Sequence, residues 1–208
     1  MEGSRRGWGI PVLDERQLLA QVATGDEAAL HQLYLAYRPR LRRYLWHQLD
    51  GDESSVEEAL QDVFLAAWRT ASGYRGEARV STWLYQIAHN VALSARRRLA
   101  RRPDSPRLNA PVDDGGEYRD AADGSDLSSG AFDDTLLDRL TLGEALDRLS
   151  PRHREALALV FQHGFSLHEA AQILDVPIGT VKSRISYARK ALLRHLMETL
   201  GEGVRHDA

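Results

Sequence analysis

Thr180, Lys182, Ser183, Ser186, Tyr187 and Lys190 recur at intervals of three and four near the C-terminal end, and each carries a hydroxyl or an ammonium. At helical spacing they share one side of a helix. Such donors and acceptors suit hydrogen bonding to base edges and phosphates in a DNA major groove. Reactive chemistry has little else to draw on. The chain has no cysteine, so thiolate ligands, disulfides and cysteine nucleophiles are excluded. Of eight histidines, His163 and His168 are five apart across an expected loop, while His31, His47, His89 and His195 are scattered. No Gly-rich phosphate loop, serine nucleophile motif or paired-carboxylate site stands out. No catalytic residue, metal ligand or cofactor is expected.

The elements that would present this face read as a helix-turn-helix. Ser166-Leu-His-Glu169 has the capping-box pattern at the head of a short helix. Ala171 supplies the small residue where a second helix crosses. Asp175 stands at the turn, where a left-handed conformation is needed and Asp tolerates it better than most non-glycine residues. Leu167, Ile173, Leu174, Val176, Val181 and Ile185 are spaced to pin the two helices together, and the second is expected from about Gly179 to Leu200. The plain alternative is a helical hairpin with a solvated outer face. Upstream, Leu140, Leu142, Leu146 and Leu149 begin a helix, Ser150-Pro151 restarts one, and Ala156 to Phe161 reads as buried.

The N-terminal half is helical too. Gly25-Asp26-Glu27 is an N-cap with an acidic first turn, and Asp50-Gly51-Asp52 is a break. Val56, Leu60, Val63, Phe64, Ala67 and Trp68 make one face of a helix expected over Val56 to Arg69. Its other face carries Glu57, Glu58, Gln61, Asp62, Leu65 and Arg69. A loop, Gly73-Tyr-Arg-Gly-Glu77, leads into a helix near Ser81 with the stripe Leu84, Ile87, Val91 and Ala95, ending in Arg96-Arg97-Arg98.

Charge divides the 208-residue chain. Residues 1–102 hold 15 basic and 12 acidic residues, residues 103–138 hold 2 and 10, and residues 139–208 hold 10 and 8. The overall charge of -3 therefore describes neither mildly basic end. The acidic middle is rich in Pro, Gly, Ser and Asp and poor in apolar residues, so it is expected to be a flexible linker. The expected organisation is all-α: a helical domain over 13–102, an acidic linker over 103–138 and a helix-turn-helix domain over 139–200. The longest apolar runs are too short to span a bilayer, and no apolar segment follows Arg5 and Arg6. No membrane insertion is expected, and a cytoplasmic location fits.

At this level of detail the chain resembles the extracytoplasmic-function sigma factors of bacterial RNA polymerase. Leu149-Ser-Pro-Arg-His-Arg-Glu155, Gly164-Phe-Ser-Leu-His-Glu-Ala-Ala171 and Val176-Pro-Ile-Gly-Thr-Val-Lys-Ser-Arg-Ile185 resemble their C-terminal domain. Glu57-Glu-Ala-Leu-Gln-Asp-Val-Phe64 with Ala67-Trp68 resembles the helix that binds the polymerase clamp. Tyr74-Arg-Gly76 and Ser81-Thr-Trp-Leu84 resemble the promoter-melting segment, and Ile87-Ala-His-Asn90 the start of the helix that reads the minus-ten element. The resemblance implies core-polymerase contacts at Glu58, Gln61, Asp62, Leu65 and Arg69. It implies minus-ten contacts at Tyr74, Arg75, Arg79, Trp83, Asn90, Arg96, Arg97 and Arg98. Minus-thirty-five contacts fall to Thr180, Lys182, Ser183, Ser186, Tyr187 and Lys190. Trp83 reads first as core, and the three arginines are also readable as a helix end favoured by the dipole. Implied partners are core RNA polymerase, promoter DNA and an anti-sigma factor. The acidic stretch resembles a connector through the RNA exit region, or is a solubilising linker.

The chain departs from the family pattern where Glu58-Ala59 replaces an Asp-Leu pair, where Asp175 replaces a turn glycine, and at Ser186-Tyr187, which are less basic than in some relatives. The rival readings are an enzyme, for which no site stands out, and an autonomous helix-turn-helix regulator. The latter needs a dimer, ligand or receiver domain. The segment Glu57–Trp68 discriminates, as a polymerase contact in one case and a dimer or sensor helix in the other.

Overall fold

The computed structural model describes residues 14–101, 145–146 and 148–203. The stretch 103–138, Leu140, Leu142, the tail 1–12 and most of the tail 201–208 lie outside these residues. Among the described residues every regular element is helical, as expected.

Acidic caps set the N-terminal half. Asp14 accepts from the Arg16 N–H and opens α1 (Glu15–Ala23). Asp26 accepts from the N–H groups of Ala28 and Ala29 at 2.9 and 3.1 Å and opens α2 (Glu27–Gln48). The expected break falls at Asp50 and Gly51, both at positive φ. Asp52 then caps α3 (Glu53–Thr70) by accepting from the Ser55 N–H at 3.1 Å. That cap starts the helix three residues before the expected Val56. Val56, Ala59, Leu60, Val63, Phe64 and Ala67 are buried, and Trp68 is half-buried. A short 3-10 turn (Ala71–Gly73) and a loop lead to α4 (Val80–Ala100).

In the C-terminal half, Pro151 starts α5 (Pro151–Leu157), which runs into a π-helical turn over Ala158–Gln162. The His163 N–H donates to the Ala158 carbonyl at 2.9 Å, five residues back. This wider turn breaks the 3.6-residue register. It corrects the expectation of a buried run to Phe161: Leu159 is buried, but Phe161 is 60% exposed. The helices α6 (Leu167–Leu174) and α7 (Ile178–Gly203) follow.

α4 needs a second correction. Leu84 and Ala95 of its expected stripe are buried, but Ile87 and Val91 are only half-buried, while Tyr85, Ala88, His89 and Ala92 are buried. The reason is that α4 packs on two sides, against α3 and against α6 of the other half. One contiguous core thus runs through both halves, from Leu18 to Ile185.

Candidate nucleic-acid interface

The helix-turn-helix is built from the local signals that announced it. Ser166 Oγ accepts from the Glu169 N–H at 3.2 Å, and the Ser166 N–H donates to Glu169 Oε2 at 2.9 Å, so both halves of the capping box are made. Burial alone would raise the Glu169 carboxyl, but the Ser166 N–H and hydroxyl, with the Arg79 guanidinium, hold it below its usual range. Asp175 closes α6 at φ 50°, ψ 49°, in the left-handed region. Ala171, Ile173, Leu174, Val181 and Ile185 are buried, while Leu167 and Val176 are half-buried.

α7 then projects its outer face. Lys182, Ser183, Ser186, Tyr187 and Lys190 are exposed and Thr180 is half-exposed. The Ser183 hydroxyl donates to the Thr180 carbonyl at 3.0 Å and keeps acceptor capacity outward. Tyr187 is not wholly free. Its ring stacks on His153 of α5 with centroids 4.4 Å apart and planes at 26°. Burial, then Arg184 and Arg152, pushes the His153 imidazole below its ordinary value. This pairing of α5 with the outer face of α7 has no signal in the sequence.

The expected minus-ten residues line α4. At its head Tyr74 packs against Trp83, with ring centroids 5.5 Å apart, and the Tyr74 hydroxyl donates to the Ala78 carbonyl. Both rings are half-buried against the core, so Trp83 combines packing with a partly open face. Arg75 and Arg79 are exposed. Arg79 lies 3.4 Å from Glu169. Asn90 is exposed further along, and Arg96, Arg97 and Arg98 close the helix. The line of candidates is about 30 Å long, at about 1.5 Å per helical residue.

α3 turns Glu58, Gln61, Leu65 and Arg69 outward, with Leu65 47% exposed. Asp62 is half-exposed. The structure joins two candidate sets that were read separately: Arg98 lies 3.1 Å from Glu58 and 3.7 Å from Asp62.

Sequence reasoning missed a cluster between the halves. Glu155 of α5 is 4% exposed. One carboxylate oxygen accepts from the Tyr44 hydroxyl of α2 and lies 2.7 Å from His89 Nδ1 of α4. Burial, then the Glu155 charge and its hydrogen bond, raises the Tyr44 phenol well above its usual value and keeps it a donor. Beside them Tyr85 Oη lies 3.0 Å from His163 Nδ1. Burial, then Arg43, His47 and Arg40, pushes the His163 imidazole down to about 4. His89 and His163, unrelated in sequence, therefore sit at the same junction, with His47 close to His163. Among the described residues no group of three metal-ligating side chains occurs.

Residues 33–102 match the family model for Sigma-70 region 2, and residues 145–194 match that for Sigma-70, region 4. The chain is 32% identical over 191 residues to the ECF RNA polymerase sigma factor SigM of Mycobacterium tuberculosis strain H37Rv, covering 91% of this chain and 88% of that one. It is 29% identical over 184 residues to the ECF RNA polymerase sigma-E factor of Escherichia coli K12, covering 86% and 93%. Among solved structures, the sigma factor RpoE of Bartonella quintana, in complex with the anti-sigma factor NepR, aligns with a TM-score of 0.56 at 30% identity, over 80% of this chain and 95% of that one.

Proposed function

The chain belongs to the extracytoplasmic-function sigma factors, non-catalytic subunits that recognise promoters and initiate transcription with RNA polymerase, and from that premise we propose how its surfaces divide the work. The outer face of α3, with Glu58, Gln61, Asp62, Leu65 and Arg69, binds core polymerase. The line from Tyr74 to Arg98 along α4 engages the minus-ten element. Promoter opening needs a base taken out of the stack and held. The Tyr74 and Trp83 pair offers aromatic faces for an unpaired base, and Arg75 and Arg79 offer charge for the phosphates beside it. Asn90 and the closing arginines continue the contact along the strand. Thr180, Lys182, Ser183, Ser186, Tyr187 and Lys190 read the minus-thirty-five element as duplex.

The domains divide as 13–102 and 139–200, and the acidic stretch 103–138 sets their separation. To this reading belong a signal- or stress-specific gene set and a location in the cytoplasm, both supported by the family resemblance. RpoE of Bartonella quintana is held by an anti-sigma factor. We extend that kind of partner to this chain.

The observation that carries the reading is that two separate faces stand exposed, one mixed with an apolar centre at Leu65 and one polar on α7, while the opposite sides of both helices are core. Co-elution with bacterial core RNA polymerase tests it. Gln61→Ala with Leu65→Ala is preferred to a change at Asp62, which would also release Arg98. Wild-type binding that this pair weakens about tenfold or more is expected, given that truncating an interface anchor costs 1 kcal/mol or more. No binding by the wild type, with dimeric binding to duplex DNA alone, would promote the autonomous regulator instead.

A further inference from the structure

Tyr187 stands on the outer face of α7, four residues from Ser183 and three from Lys190, so the three share a line along the helix. It differs in kind from the others on that face. They carry a hydroxyl or an ammonium on an aliphatic stem, while Tyr187 brings a flat apolar ring and is 54% exposed. An exposed side chain ordinarily samples several rotamers. This one is held. Its ring stacks on the His153 imidazole of α5, with centroids 4.4 Å apart and planes at 26°. The imidazole is itself fixed by a second partner. Its Nδ1 lies 2.8 Å from Ser150 Oγ, and His153 is half-buried. Ser150 is the N-cap of α5, where a serine hydroxyl usually accepts from a backbone N–H of the first turn. Here it makes no such bond. The His153 N–H donates instead to the Ser150 carbonyl at 3.0 Å, and the hydroxyl is left for the ring. Two helices and a cap thus converge on the orientation of one exposed side chain.

We propose that His153 is a positioning residue for promoter recognition: by stacking on Tyr187 it fixes that ring as an apolar reader of a thymine in the minus-thirty-five element. This rests on the assignment of the outer face of α7 to that element under Proposed function. The choice of base follows from what an aromatic ring can recognise. Major-groove base edges present donors and acceptors, and the one apolar group among them is the C5-methyl of thymine. Lys182, Ser183 and Lys190 suit the polar groups, and the ring suits the methyl. The stack occupies one face of the Tyr187 ring, so its edge, its hydroxyl and its opposite face remain for DNA. Preorganisation decides how much that contact yields. Ordering a free side chain at an interface lowers affinity by about threefold to tenfold. A ring already stacked has met most of that cost in the free protein. An aromatic pair of this kind favours its stacked arrangement by about twofold to tenfold, which is enough to hold the ring. His153 acts through Tyr187, because its own face lies on that ring and its Nδ1 on Ser150.

Holoenzyme reconstituted from the full chain and bacterial core polymerase selects from a pool of duplexes randomised through both promoter elements, and the bound fraction is sequenced. Tyr187→Ala is expected to lose a thymine preference at one base pair of the minus-thirty-five element. His153→Ala should weaken that same preference about threefold or more and leave the other positions as in the wild type. His153→Phe restores a flat ring and should recover the preference. In the selected duplex, deoxyuridine in place of that thymidine removes only the methyl. It should cost the wild type about fourfold in affinity and the two alanine variants little. His153→Gln keeps a polar partner for Ser150 but has no ring, so it should follow His153→Ala. It carries the test if the alanine variant loses helix content by circular dichroism. A thymine preference that survives in both ringless variants would overturn the positioning role. So would a loss spread evenly over all positions, which is what a structural defect produces. Deoxyuridine bound by the wild type as tightly as thymidine would overturn the methyl as the feature read. Tyr187→Ala with every preference intact would sink the assignment of Tyr187 itself, and this role with it. Failure of the surface assignment thus shows in the Tyr187 variant, and failure of the positioning in the His153 variants alone.

Discussion

Asp175 marks what a single position can declare. A non-glycine residue in the left-handed region costs about 1–2 kcal/mol, and Asp reduces that by local hydrogen bonding. Asp175→Ala should therefore lower the stability of the full chain by about 1 kcal/mol, while Asp175→Gly should leave it level or slightly raised, read by thermal melting. Equal melts for the two would remove the backbone explanation. Ser166 makes a companion case. It accepts from the Glu169 N–H, and Ser166→Ala should cost about 1 kcal/mol in the same measurement. An unchanged melt would mean that the helix start is held by packing alone. Both residues were legible because their roles are settled within four positions of chain. Tyr187 was not. Its place among the residues proposed to read bases follows from its side of α7, but the His153 ring that covers one face comes from α5, 34 residues away in sequence.

Whole helices show where pattern reading holds and where it slips. α3 matches its expected stripe because it has one buried side, and its early start follows from Asp52, a cap the pattern did not weigh. α4 departs from its stripe because two partners bury it, and one partner comes from the far half of the chain. The same helix separates two arginines that the sequence treats alike. Arg97 is exposed, whereas Arg98 is drawn to Glu58 and Asp62 on α3. Such exposed pairs are weak, but they direct the side chain away from the strand proposed to run along α4. Arg97→Ala should reduce the salt slope of promoter binding by the holoenzyme by about one, the value for one phosphate contact, and Arg98→Ala by less. Equal slopes for both variants would show that Arg98 leaves α3 when DNA arrives.

The arrangement of the two halves is the level at which the sequence is silent. Tyr44 and Glu155 are 111 residues apart, His89 and Glu155 are 66, and no local rule pairs them. Their chemistry nonetheless makes the arrangement measurable through pH. His163 sits where the halves meet, facing Arg40, Arg43 and His47 of α2 with Tyr44, and Tyr85 of α4. Its Nε2 is buried with no hydrogen-bond partner among the described residues. Burial, reinforced by those cations, holds its folded pKa at about 4, below the ordinary value of 6.5. The unfolded chain therefore binds a proton that the folded chain refuses, and stability must rise with pH across that interval. The contribution is complete above about pH 6.5 and is lost as pH falls from there toward 4. Below 4 the folded form is protonated as well and the loss levels off. With allowance for the ring's partial exposure the total is on the order of 2 kcal/mol. His163→Gln removes this titration and keeps a polar side chain, so the difference in melting temperature between wild type and variant cancels every other group. That difference should move against the wild type between pH 6.5 and 4 and be flat above 6.5. A difference that is flat throughout would mean that folding leaves the proton affinity of His163 unchanged.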